Sequence, residues 1–423
     1  MGILQVFYIK LILCAIFTIV GFGIIKNKDV FDEIEKQNQS KTLLFITFLT
    51  FRVFPFIVIY VLLGMEPRND VPFFFYKAQG AKQGLFVYRD FWSFHAPLFS
   101  YIISIPLFIW HNARSIVFLM IAIEGLIVWL TYCNYKSQLK NALQLSVLYW
   151  VLPGTFVFVL LNGQEDLWFW GVTLLIWQYI KKNSNDYQIA MAILYSVGLL
   201  CIKVTFIFLL LPVLILSEKP AKVVVVMGLI GVASVGFLYY HIGDLFLMPI
   251  QHTATLLTPN LFSVLRPFIE TVYHISDTQY GIANWIGLIC TILFSSWVAY
   301  QNRQLSLSQA LPLLFIITFV SMTIFQPSAP GGYAVAYFLV VLFELIDLNN
   351  IKHLLLLFVF HIVMVVQPFI YVYNGLPTYT HFSMFFKPIL LFEYLLQIVN
   401  VVCYLCVVML AYRKLSFLKI NVQ

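Results

Sequence analysis

Apolar residues run along this chain in long, nearly unbroken stretches, parted by short polar segments that hold most of its charge. Stretches of this length predict membrane-crossing helices. They fall at residues 3–25, 42–64, 115–132, 143–161, 167–180, 188–216, 223–240, 285–300, 310–325, 334–348, 354–373 and 389–410. The 188–216 run has 29 residues and carries Lys203 near its middle. As one helix it would be about 43 Å long, too long for an upright crossing of about 30 Å. It therefore reads as two short helices that meet near Lys203. The prediction is an all-α, polytopic transmembrane helical bundle of about 11 to 13 spans forming a single domain over residues 1–423. Residues 1–41 form a retained N-terminal span and its loop, and residues 65–114 and 241–284 form two long loops. Within the first long loop, residues 72–82 and 97–110 read as helices lying in the interface plane.

Composition removes other classes. The chain is 61% hydrophobic and 10% charged, against about 25% charged in soluble domains. A water-soluble globule is excluded, and so is a disordered chain, which needs the opposite balance. The net charge of +7 does not point to nucleic acid, because the cations sit in short clusters between apolar runs and form no contiguous patch. Those clusters are uneven instead. Fifteen Lys and Arg fall in one set of alternate loops, and seven in the other: Arg68, Lys77, Lys82, Arg89, Arg114, Arg266 and Lys387. The richer set is expected in the cytoplasm, which puts both long loops on the far side. The six cysteines lie within apolar runs or at the edge of one, so no disulfide and no zinc site is predicted. No internal repeat of the kind common in transporters is found.

Several polar residues stand out against this background. Asp70 lies six residues past the end of a span, among aromatic residues that by themselves would make an ordinary interfacial belt. Asp90 follows in the same loop. Asp166 opens a span, where it either lines a cavity or complements the helix dipole. Three charges are drawn into the bilayer, at a cost of at least about 2.5 to 3.5 kcal/mol each. Arg52 and Glu124 suit a structural ion pair, while Lys203 at the helix break suits a functional role. His241, His252 and His274 with Asp244 and Asp277 match no metal-ligand spacing, so a divalent cation is not supported.

The order of the short elements carries more. The first long loop has Asp70, Tyr76 six residues on, then Gly84-Leu-Phe-Val-Tyr88-Arg-Asp90-Phe and His95-Ala-Pro97-Leu98. After it come His111-Asn-Ala-Arg114-Ser, Asn162-Gly163-Gln164-Glu165-Asp166, Lys203 with Pro212 nine residues later, and Pro327-Ser-Ala-Pro330-Gly-Gly-Tyr333. This succession resembles the mannosyltransferase-like branch of the GT-C superfamily, the polytopic glycosyltransferases that use polyprenyl-phosphate sugars. Two departures are the His95-Ala-Pro97-Leu98 segment, where the family has Pro-Pro-Leu, and the extra N-terminal span. The resemblance implies an inverting transfer of one sugar from a polyprenyl-phosphate donor to a lipid-linked or cell-envelope glycan acceptor. The setting it implies is a bacterial or archaeal cytoplasmic membrane, with the site facing outward among membrane lipids. Such a transfer needs one base for the acceptor hydroxyl, because the leaving phosphate is already a stable anion. The match to the family loop makes Asp70 that base, with Asp90 a second candidate or a residue that holds the loop. Arg266, His252 and Arg114 become phosphate contacts or interfacial anchors. Asp166, Gln164, Lys203, Tyr333, Tyr76 and His95 become donor or acceptor contacts. The competing readings are a lipid-linked glycan polymerase or ligase, and a transporter or lipid flippase in which Lys203 would matter more than Asp70.

Overall fold

The computed structural model describes residues 3–183, 186–251, 256–274 and 277–420, and among them every extended regular element is a helix. Eight of these helices are long and apolar enough to cross a membrane: Gln5–Lys26, Ser40–Leu62, Ala113–Tyr135, Pro220–Leu247, Tyr280–Gln301, Leu307–Phe325, Ile351–Tyr373 and Pro388–Ile420. A bent pair, Ala142–Trp150 with Pro153–Leu161, makes a ninth if it is one span. The protein is thus an all-helical, multi-pass integral membrane protein, in which each helix satisfies its own backbone away from water.

The number is smaller than the 11 to 13 spans expected from hydropathy, and the difference has a physical reason. Leu167–Lys182 has 16 residues and rises about 24 Å, short of the roughly 30 Å of a hydrocarbon core. Gln188–Cys201, Val204–Leu216 and Gly331–Leu345 are shorter still. Hydropathy counts apolar runs alike, whether or not the helix they form is as long as an upright crossing needs.

Among the eight long helices Leu307–Phe325 is the most buried, with 89% of its apolar window inside the bundle. It packs against Pro388–Ile420, Asp277–Gln301 and Leu167–Lys182, and it also touches Val204–Leu209 and Gly331–Ala334. Pro220–Leu247 lies at the other extreme, with 6% buried, and presents its valines and leucines outward.

Two breaks shape the interior. At the first, Leu152 is extended before Pro153, as the residue preceding a proline prefers, and the two helix segments bend by 53°. The carbonyls freed there find donors. Arg52 Nη1 donates to the Trp150 carbonyl at 3.1 Å, and Thr155 Oγ1 donates to the Tyr149 and Leu152 carbonyls at 2.9 Å each. Arg52 also binds Glu124 through Nε at 2.6 Å and Nη2 at 3.0 Å, both side chains being fully buried.

The second break falls at Lys203, whose backbone is extended between Gln188–Cys201 and Val204–Leu209. Here the first long loop supplies the donors: Leu98 N–H bonds the Leu200 carbonyl at 2.9 Å and Ala96 N–H bonds the Ile202 carbonyl at 3.2 Å. The His95-Ala-Pro97-Leu98 segment is therefore the piece of chain that closes the broken helix.

Candidate active site

The first long loop begins with Asp70, which precedes the Val71–Lys82 helix. Its neighbour Asn69 donates to Asn162 Oδ1 at 2.6 Å, tying this loop to the turn at residues 162–166. Gly163 makes that turn with φ +66, and a Cβ there would come within 2.4 Å of Val71 Cγ2. Only glycine lets the turn sit this close to the helix start. The consequence is that Gln164 Nε2 reaches Asp70 Oδ2 at 2.6 Å, while Glu165 and Asp166 turn inward to full burial.

Lys203 comes up from the helix break to meet them. Its Nζ lies 2.5 Å from Glu165 Oε1 and 2.9 Å from Asp166 Oδ1, with the Tyr333 ring face 4.7 Å away. Glu165 Oε1 also faces His95 Nε2 at 2.9 Å. The other imidazole nitrogen, Nδ1, lies 3.5 Å from Lys77 Nζ. Lys77 is buried on the inner face of the Val71–Lys82 helix, its ammonium over Phe94 at 3.9 Å and Trp92 at 4.9 Å. One connected set of side chains thus runs from Lys77 through His95, Glu165 and Lys203 to Asp166, with Gln164 and Asp70 beside it.

The charges adjust to this crowding. Burial pushes the Asp70 carboxyl above the usual aspartate range, and the Glu165 carboxylate adds to the shift, against the pull of Gln164, Lys203 and Lys77. Burial brings Lys77 down to about 8 and His95 down to about 3 despite Glu165, so the imidazole is neutral and donates to Glu165 through Nε2–H. Burial also works against the Glu165 anion, but Lys203 and the His95 hydrogen bond outweigh it and hold this carboxyl low. Asp166 goes the other way: burial, with Glu165 alongside, raises it in spite of Lys203. Two neighbouring acids that share one ammonium ion resist being anions together. Glu165 Oε2 and Asp166 Oδ2 are buried without a hydrogen-bond partner.

Of the residues singled out from sequence, the fold brings together Asp70, His95, Gln164, Asp166, Lys203 and Tyr333. It leaves others outside. Asp90 accepts from Phe86 N–H at 2.7 Å and pairs with Arg89 at 2.8 Å, so it ties its own turn and stands away from the cluster. Tyr76 is exposed, while its neighbour Lys77 is buried. Arg114 Nη2 binds the Gly64 carbonyl and Glu66, bracing the start of the loop. His252 lies outside the described residues, as do the side chain of Asp277 and any contact either makes. Among the described residues, no group of three or more His, Cys, Asp or Glu has the geometry to hold a metal ion.

Arg266 belongs to a second centre. It bonds Glu270 through Nε at 3.2 Å and Nη2 at 3.1 Å and stacks over Tyr280 at 4.7 Å. Its Nη1 is buried without a partner. With Thr258, Ser263, Tyr371 and Tyr379 it lines an open cavity of about 20 Å³, room for about one water or one oxyanion oxygen. The 327–333 loop connects the two centres: Gly331 N–H faces the Thr258 carbonyl at 3.4 Å, and a Cβ on Gly332 would sit 3.7 Å from Gln164 Oε1.

Two cluster members escaped the sequence reading. Lys77 stands seven residues after Asp70, two helical turns and therefore on the same face, and Glu165 sits between two residues that were selected. Comparison with protein-family models, curated proteins and solved structures finds no match for this chain.

Proposed function

We propose that this protein is a GT-C-type membrane glycosyltransferase that moves a sugar, with inversion, from a polyprenyl-phosphate donor to a lipid-linked or cell-envelope glycan acceptor on the non-cytoplasmic face. The observation that carries the reading is the state of Asp70. One carboxylate oxygen is held by Gln164, the other has no bond among the described residues, and burial makes the group more basic than an ordinary aspartate. A carboxylate so held can take the proton of an acceptor hydroxyl as that oxygen attacks the anomeric carbon. The phosphate leaves from the opposite side as a stable anion, which is why a second carboxylate as general acid is not needed. A cation for that phosphate is at hand, across the 327–333 loop, in Arg266 with its free Nη1.

The test is transfer of label from a radiolabelled polyprenyl-phosphate sugar to a glycolipid acceptor by protein purified in detergent. Transfer that depends on Asp70 supports the reading. A second reading, transport or lipid flipping, is favoured by one feature, a helix broken at a buried lysine and acid pair, as in discontinuous transporter helices. Accumulation or flipping in proteoliposomes without any sugar transfer, abolished by Lys203→Met and indifferent to Asp70→Asn, would favour it instead.

A further inference from the structure

Glu165, Asp166 and Lys203 bring two carboxylates and one ammonium group to a single buried point. Two carboxylates from adjacent residues meet at a helix start, fully buried, and each keeps one oxygen without a donor. Hard divalent ions are often held by only one or two protein carboxylates with waters completing the shell. Between these two lies the Lys203 ammonium, at 2.5 Å and 2.9 Å. Two of its three N–H bonds serve the carboxylates, and the third side of the nitrogen faces the Tyr333 ring. The nitrogen has no further direction to offer, and the carboxylates have no closer cation among the described residues.

We infer that Lys203 is the resident cation of the site: its ammonium group stands where a divalent metal ion would otherwise bridge Glu165 and Asp166, so the native cluster takes no metal and the same cluster without the lysine becomes a cation site. The lysine can do this because the broken helix delivers it from inside the bundle on an extended backbone. An unbroken helix would keep Nζ on its own surface. The inference concerns what fills the cluster and holds whether the reaction is sugar transfer or transport.

The experiment uses the full-length protein in detergent and Mn²⁺ as the probe, read by the loss of the free-ion electron paramagnetic resonance signal. The native protein is expected to leave the signal unchanged at the cluster, and Lys203→Met is expected to remove free Mn²⁺, an effect lost again when Asp166→Asn is added. Thermal unfolding gives the second measurement. Lys203→Ala should unfold at a lower temperature than the native protein and recover with added ethylammonium or Mg²⁺, but not with choline, which is too large for the slot. Mn²⁺ binding by the native protein that disappears with Asp166→Asn would overturn the inference. So would a Lys203→Met protein that matches native stability and binds no cation. If Lys203→Met cannot be purified, Lys203→Ala carries both readouts, and a failure of ethylammonium and Mg²⁺ alike to stabilise it counts against the proposal.

Discussion

Asp70 is set apart from the other acids of its loop by its surroundings rather than by its type. Its oxygen is held by Gln164 and its charge is felt by Glu165, Lys203 and Lys77, whereas Asp90 answers only to its own turn. General-base catalysis contributes about 10²- to 10⁴-fold, so Asp70→Asn should lower the turnover of sugar transfer by that order with donor binding retained. Asp90→Asn should stay close to the native rate in the same assay. The sign of the pH dependence follows from the direction of the shift. Asp70 acts as the carboxylate, so kcat/KM should fall as pH drops through a value above the ordinary aspartate range. Gln164 stabilises the anion, so Gln164→Leu should move that inflection to still higher pH, and a profile that moved to lower pH would contradict the assignment. Asp70, Gln164 and Asp166 were singled out in sequence by the order and family likeness of the polar elements that carry them, and the fold brings those elements together. Lys77 was not, because a lysine in an interfacial helix reads as a solvated anchor until the loop carrying Trp92 and Phe94 folds over it, and that loop has no periodicity to announce its path.

At the level of elements, the two helix breaks do opposite jobs with similar means. The break at Lys203 was legible, since a run too long to stand upright with a cation at its centre has to bend or stop. The shortness of Leu167–Lys182 and Gly331–Leu345 was not, since their apolar runs look like those of the longer helices in the sequence; both pack against Leu307–Phe325. The break at residues 151–152 is stitched by Arg52, which serves Glu124 and the Trp150 carbonyl at once. Arg52→Met strands a buried carboxylate and a backbone acceptor together. Breaking such a pair costs about 3 to 5 kcal/mol, which denaturant unfolding in mild detergent should register. Adding Glu124→Leu should recover part of the loss but not all, because the Trp150 carbonyl stays unserved. The turn at Gly163 makes a sharper test of how elements build the site. Gly163→Ala must strain a left-handed residue and push its Cβ against Val71, which carries the neighbouring Asp70 away from Gln164. Sugar transfer should fall with little change in the amount of folded protein recovered, and an unchanged rate would mean that the contact between the two loops does not matter.

Over the whole molecule, charged side chains gather at two separated levels. The Ala113–Tyr135 helix gives the scale: Arg114 at its start touches Gly64 and Glu66 beside the first long loop, while Tyr135 at its end donates to Glu344, which also takes Lys414 at 2.5 Å. Twenty-three residues separate the two ends of that helix, a rise of about 34 Å, enough to cross a hydrocarbon core of about 30 Å. Asp70, His95, Gln164, Asp166 and Tyr333 therefore belong to one face and Glu344 with Lys414 to the other. The excess of Lys and Arg on the second level is the pattern that cytoplasmic loops carry. In a cysteine-free background, Gln83→Cys should react with a membrane-impermeant maleimide added to intact cells, and Lys136→Cys should react only after permeabilisation. Labelling of both from the outside would break the fold's two-level arrangement. Labelling of Lys136→Cys alone would keep the bundle but turn the cluster toward the cytoplasm, and the donor would then have to be a lipid-linked sugar that has not yet crossed the membrane.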